Sequence, residues 1–220
     1  MASMYETIME LPLFKGIGEE QLSLMLEKTS VEFLKFEEGE IISQSDSNVN
    51  GIDFILNGRV RQTYRLVNFP IEIDEILGKN SVIGALNLFG MNTTYSSDIT
   101  ALGKVSMMRI GKVQYMNILQ SDRIYMLNYL NYLAAAAQKS QGILLESKSF
   151  SINRTLEILA YSIVSRSSET VMVAGDDKDL ANYCGVSVEE FIEWKTSELA
   201  HNRIVMNQRG ILLKSPHLDR

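Results

Sequence analysis

The chain has 220 residues, 45% hydrophobic and 22% charged, with a formal net charge of −6, which excludes a disordered chain and suits one or two domains with a buried core. The single cysteine, Cys184, excludes an intrachain disulfide framework and cannot by itself hold zinc or an iron–sulfur cluster. The opening MASMYETIME lacks the basic-then-apolar plan of a secretion signal, and no run approaches the ~18 apolar residues that cross a bilayer, so a cytoplasmic protein without a membrane partner is expected.

Residues 31–110 read as short β segments cut by glycines. Val31–Phe36 alternates, Ile52–Leu56 and Val60–Leu66 flank Asn57-Gly58, and Ile71–Leu77 alternates again. Asn-Gly predicts a tight hairpin, because a type I′ turn needs positive φ at both central residues. The spacing predicts a small β-barrel or jelly roll.

A long helix is predicted over Ser121–Glu146, with Leu127, Leu130, Ala134, Ala137, Gln141 and Leu144 at alternating spacings of three and four. That is a heptad seam, and the small residues Ala134–Ala137 let two backbones approach closely. Dimerisation through this helix is the expectation, with packing on its own barrel the alternative. The serines at 147, 149 and 151 interrupt the stripe and mark residues 147–152 as a hinge.

The next helix, Arg154–Val164, puts Leu156, Leu159, Ala160 and Ile163 on one face. Residues 177–199 then carry the pattern of two helices packed across a tight turn. Ala181 permits close approach, Gly185 suits a left-handed helix end, Ser187 caps the following helix, and Phe191 with Trp194 forms its buried stripe over Leu180 and Val186. This predicts a helix-turn-helix, an ordinary helical hairpin being the plainer reading. Two apolar runs, Arg203–Met206 and Ile211–Lys214, follow around a Gly-containing turn and complete a winged helix. Cys184, at the end of the first helix of the pair, reads as a small buried hydrophobe rather than a sensor thiol.

The order of these parts resembles the Crp/Fnr family of bacterial transcription regulators. The resemblance rests on Leu11–Gly16 (LPLFKG), Phe36–Glu40 (FEEGE), Phe54–Val60 (FILNGRV), Ile83–Phe89 (IGALNLF), the long helix, Arg154 and the winged helix. It implies an α+β fold: a cyclic-nucleotide-binding-like jelly-roll barrel over 1–120, a dimerisation helix over 121–146, the hinge over 147–152, and a winged helix-turn-helix over 153–220. It implies a homodimer on two-fold symmetric double-stranded DNA, with a small-molecule effector and RNA polymerase as candidate further partners.

In nucleotide-binding members a Gly-Glu-Leu turn holds the ribose and an Arg-Ser pair holds the cyclic phosphate. Here the corresponding residues are Gly84-Ala85-Leu86, followed by Asn87, and Tyr95-Ser96, so cyclic AMP is not expected to bind. A less anionic ligand, or a pocket closed by Tyr95, are the readings left. Lys139 and Ser140, placed where the family contacts the base, either serve a different ligand or are solvated helix residues. Haem is not expected, since His201 and His217 both lie outside the barrel, and an iron–sulfur cluster is not expected from one cysteine. The few histidines and the lack of a Ser/His/acid constellation argue against an enzyme.

The expected DNA face comprises Ser187, Val188, Glu189 and Glu193 on the second helix, with Lys195, Arg203 and Arg209 for the phosphate backbone. Val188 and Glu193 stand where many members carry arginines. Residues 150–220 hold eight basic and ten acidic residues, a net charge of −2, so counterion release has few cations to drive it. DNA reading with an altered code, reading assisted by a partner, and a winged helix turned into a protein-contact module are the three outcomes open.

Overall fold

The computed structural model describes residues 4–146, 151–164 and 168–213. The chain divides into two units, one holding the residues up to Arg61 with Leu77–Gln138, the other holding Gln62–Ile76 with the residues from Lys139 onward.

The first unit opens with helix α1 (Met4–Met9), a single helical turn at Pro12–Phe14 and helix α2 (Glu19–Lys28). Eight strands follow: β1 (Glu32–Phe36), β2 (Ile41–Ser43), β3 (Gly51–Asn57), β4 (Val60–Arg65), β5 (Glu72–Leu77), β6 (Val82–Ile83), β7 (Asp98–Ala101) and β8 (Val105–Gly111). β4 starts in this unit at Val60–Arg61 and β5 ends in it at Leu77, the rest of both strands belonging to the second. One sheet has the order β1-β8-β3-β6, with Glu32 opposite Arg109, and Arg109 opposite Asp53. β2 pairs antiparallel with β7 in the other. The expected barrel is not closed: β1 and β6 end one sheet and β2 ends the other, which makes this a sandwich with free strand edges.

Strand period assigns the two faces of β3. Phe54 turns toward the N-terminal turn, where its ring meets Phe14 edge-on at 5.4 Å, and Asp53 turns the opposite way. The expected Asn57-Gly58 hairpin does not form: β3 pairs with β6 and β8 while β4 belongs to the other sheet, so the turn carries the chain between sheets. Of the two residues Gly58 alone has positive φ, +86°, where a Cβ would lie 2.3 Å from the Lys104 carbonyl.

The helix predicted over Ser121–Glu146 forms as one helix, α4 (Arg123–Glu146), preceded by a shorter helix that the pattern did not predict, α3 (Lys112–Ser121). Asp122, extended at φ −152°, separates them, and its carboxylate accepts the Ile124 N–H at 2.8 Å. Tyr125 and Tyr129 are buried, and Tyr132 and Leu133 pack on the same core. Those spacings set the inward face of α4 and leave Leu127, Leu130, Ala134, Ala137 and Gln141 exposed on the other. The side chain of Leu144 and hinge residues 147–150 lie outside what is described, as do Lys214 and His217.

The second unit holds α5 (Ile152–Ile163), β9 (Ser168–Ala174), α6 (Asp177–Cys184), α7 (Val188–Ala200), β10 (Ile204–Met206) and β11 (Ile211–Leu213). Its sheet runs β10-β11-β9-β5-β4, so the hairpin made by β4 and β5 is part of it. Ile71 and Ile73 from that hairpin share a core with Leu156, Leu159, Ala160, Val173, Leu180, Phe191 and Ile211.

Candidate functional site

Two places carry the residues singled out from the sequence. In the first unit the loop from Ile83 to Ser97 begins with Gly84 at φ +81°, where a Cβ would stand 2.9 Å from the Gly51 carbonyl and 3.7 Å from the Tyr95 hydroxyl. Gly84, Ala85 and Tyr95 are therefore brought together. Ala85 is 1% exposed, and its carbonyl accepts the Tyr129 hydroxyl of α4 at 2.9 Å. Tyr95 is 8% exposed, held by backbone bonds to Asp46 and Ser47. Asn87 is half-buried and closes a turn onto the Gly84 carbonyl, whereas Leu86 and Ser96 are exposed.

The charge beside this loop comes from residues the motif comparison missed. Asp53 is fully buried and holds Arg109 through two bonds of 2.6 and 2.7 Å. Those bonds hold the Arg109 guanidinium above its already high ordinary value. Burial, with the Asp53 charge adding to it, pushes the Tyr95 phenol up to about 12. The only cue in the sequence was a carboxylate interrupting an apolar strand at Ile52-Asp53-Phe54.

Lys139 and Ser140 belong to the second unit. Lys139 donates to the Val164 carbonyl at the C-terminus of α5, a favourable place for a cation, and Ser140 is exposed on α4.

The second place is the corner between α6 and α7. Gly185 ends α6 with φ 72° and ψ 28°, donating to the Ala181 and Asn182 carbonyls, and the Ser187 hydroxyl caps α7 by accepting the Glu190 N–H at 3.1 Å. Phe191 is fully buried with Trp194 against it at 5.2 Å, and Val188 packs on the same core. Glu189, Glu190 and Glu193 are exposed. Cys184 is half-buried, and burial pushes its thiol up to about 11.

All three cations assigned to a phosphate backbone are held by carboxylates. Lys195 reaches both oxygens of Asp177 on α6. Arg203 makes a two-pronged contact with Glu198, and these bonds hold its guanidinium above the usual value. In the β10–β11 turn, Arg209 donates from Nε to the buried Asp74 at 2.8 Å and lies 3.9 Å from Glu72. The partner of Arg209 was beyond the reach of sequence reading, since Asp74 is 135 positions away. Among the described residues no group of three or more His, Cys, Asp or Glu is placed to hold a metal ion, and no helix is long and apolar enough to cross a membrane.

Residues 33–122 match the family of the cyclic nucleotide-binding domain. No curated protein matches the chain. Among solved structures, the chain is similar to the catabolite activator protein of Thermus thermophilus, with 17% identity and a TM-score of 0.54 over 92% of this chain and 93% of that one. It is also similar to the sensor domain of the transcriptional regulator DNR from Pseudomonas aeruginosa (16% identity, TM-score 0.50, 60% of this chain and 91% of that one). A transcriptional regulator from Thermotoga maritima is a further likeness (17% identity, TM-score 0.50, 58% of this chain and 98% of that one). At these identities the likeness is one of fold, and the first spans both units.

Proposed function

We propose that this protein is a transcription regulator of the Crp/Fnr type, a homodimer joined along α4, whose sandwich senses a signal other than cyclic AMP and whose second unit is a winged helix that reads DNA with α7. The observation that carries the reading is the α6–α7 corner: a left-handed glycine, a capping serine and a buried Phe191 leave the first turn of α7 free to enter a major groove. The hairpin β10–β11 follows at once, as a wing does. The similarity in fold to a catabolite activator protein over both units supports it.

The exposed apolar stripe of Leu127 and Leu130, 56% and 50% exposed, continuing through Ala134 and Ala137, supports the dimer. Ala134→Glu sets like charges across the two-fold axis and is expected to give a monomer. A light-scattering mass of one chain for wild-type protein at micromolar concentration would refute the dimer.

The exposed acids of α7 and the paired state of Lys195, Arg203 and Arg209 favour a second reading, a winged helix that contacts a protein, RNA polymerase included, in place of DNA. Shift assays on promoter fragments from the protein's own locus, at low and moderate salt, decide between them. Selective retention of one fragment is the expected result, and uniform absence of binding at low salt leaves the second reading standing.

A further inference from the structure

Asp74 and Arg209 meet because β5 joins the sheet of β9, β11 and β10. We infer that the hairpin Gln62–Ile76 is an autoinhibitory strap that holds the arginine of the wing turn away from a DNA phosphate. The inference rests on the DNA-reading function proposed above and names how it is restrained.

One face of the strap is built into the core of the second unit. Ile71 and Ile73 are 1% and 0% exposed there, and the Phe69 ring stands edge-on to Tyr183 of α6 at 5.1 Å. The other presents acids to the wing turn. Asp74, fully buried, accepts the Thr63 hydroxyl at 2.6 Å and Arg209 Nε at 2.8 Å, and Glu72 stands behind it. The wing turn is itself ordered, the Asn207 side chain accepting the N–H groups of Arg209 and Gly210 at 2.8 and 3.0 Å.

A carboxylate and a phosphate are competing acceptors for the same guanidinium fork, so Arg209 cannot serve both with the same donors. Withdrawing Arg209 would take its 2.8 Å charge-assisted bond from a fully buried carboxylate, so the ion pair persists until the strap itself is moved. The strap enters and leaves through Val60–Arg61 and Leu77, residues of the first unit, so the chain connects it directly to the strands of the sandwich.

The test compares wild type, Asp74→Asn, Arg209→Gln and the double variant on one duplex, without effector, across a salt series. Asp74→Asn keeps the side-chain volume and an acceptor for Thr63. It is expected to bind about three- to tenfold more tightly and to steepen the salt slope by about 1, the signature of one added phosphate contact. Arg209→Gln is expected to match wild type, and the double variant to lose the gain. Wild-type affinity and slope in a folded Asp74→Asn protein overturn the strap and leave DNA reading intact. So does weaker binding by Arg209→Gln than by wild type, a result that does not depend on Asp74→Asn folding. Absence of binding by every variant at low salt removes the DNA reading and the strap's role with it.

Discussion

The loop from Gly84 to Ser97 and the α6–α7 corner both keep a backbone frame without an unengaged cation among the residues singled out there, but by different routes. In the loop the charged residues are replaced: alanine stands at 85 and tyrosine at 95, and Tyr95 is buried beside an Asp53–Arg109 pair already complete. In the corner and the β10–β11 hairpin that follows it the cations are present but occupied by Asp177, Glu198 and Asp74. An ion pair is an equilibrium that a stronger acceptor can open, whereas a missing guanidinium cannot be recovered without mutation. The loop can gain these charges only by substitution, whereas the second region already carries its cations, engaged.

The largest expected effect tests the first half of that contrast. Restoring both groups, Ala85→Glu with Tyr95→Arg, should raise cyclic AMP affinity by about 2 to 4 kcal/mol, the worth of two charge-assisted contacts. Titration calorimetry on the double variant reads it, and no detectable heat in a folded protein shows that the pocket has changed in more than these two residues.

Alkaline titration separates the regions next. The fold favours the neutral Tyr95 phenol, so its stabilising contribution is complete below the ordinary value of 10.0 and is lost as pH rises toward about 12. Discounted for partial exposure, the loss is on the order of 2 kcal/mol. In urea unfolding between pH 9 and about 12, wild type should lose about that much stability relative to Tyr95→Phe, which has no phenol to titrate; parallel curves would exclude it.

Smaller effects belong to the corner. Ser187→Ala removes the cap of α7 and should cost about 1 kcal/mol by denaturant unfolding, with Ser187→Asp recovering most of it. Lys195→Ala breaks a partly exposed pair with Asp177 and should cost about 0.5 to 1 kcal/mol while leaving the salt slope of DNA binding unchanged. A slope lower by about 1 would instead mean that Lys195 leaves Asp177 for a phosphate.

What the sequence made legible follows contact range. The Gly185–Ser187 corner and the inward face of α5 are set by residues within a few positions of one another and stand where their patterns predict, whereas Asn57-Gly58 turns the chain from one sheet to the other because its flanking strands find partners far along the chain. Helix α3 was less visible, because it is only ten residues long and Asp122, extended, sets it apart from α4 by a single residue. β9 was missed: Thr170–Val173 is β-branched and apolar, but it lies alone between two helices and finds its partners in β5 and β11. The ion pairs were least legible of all, since Asp53–Arg109 and Asp74–Arg209 join residues 56 and 135 positions apart. Charge counting showed that the C-terminal region is poor in free cations; only the fold shows that the three assigned to DNA are already engaged.

The bonds on α4 also act as bearings on a shaft. At Asn128 the amide grips the Leu13 and Lys15 carbonyls at 3.3 and 2.8 Å, and one residue on, a helical step of about 100°, Tyr129 grips Ala85. A roll of α4 on the order of 10° about its axis would carry these tips by more than an ångström, enough to lengthen the bonds on both sides together. The helix is thus keyed against spinning at its N-terminal half. Beyond Leu133 the run Ala134–Ala137, whose methyl side chains can neither donate nor accept, offers no such key, and the next described side-chain bond along the helix is that of Lys139 to the Val164 carbonyl.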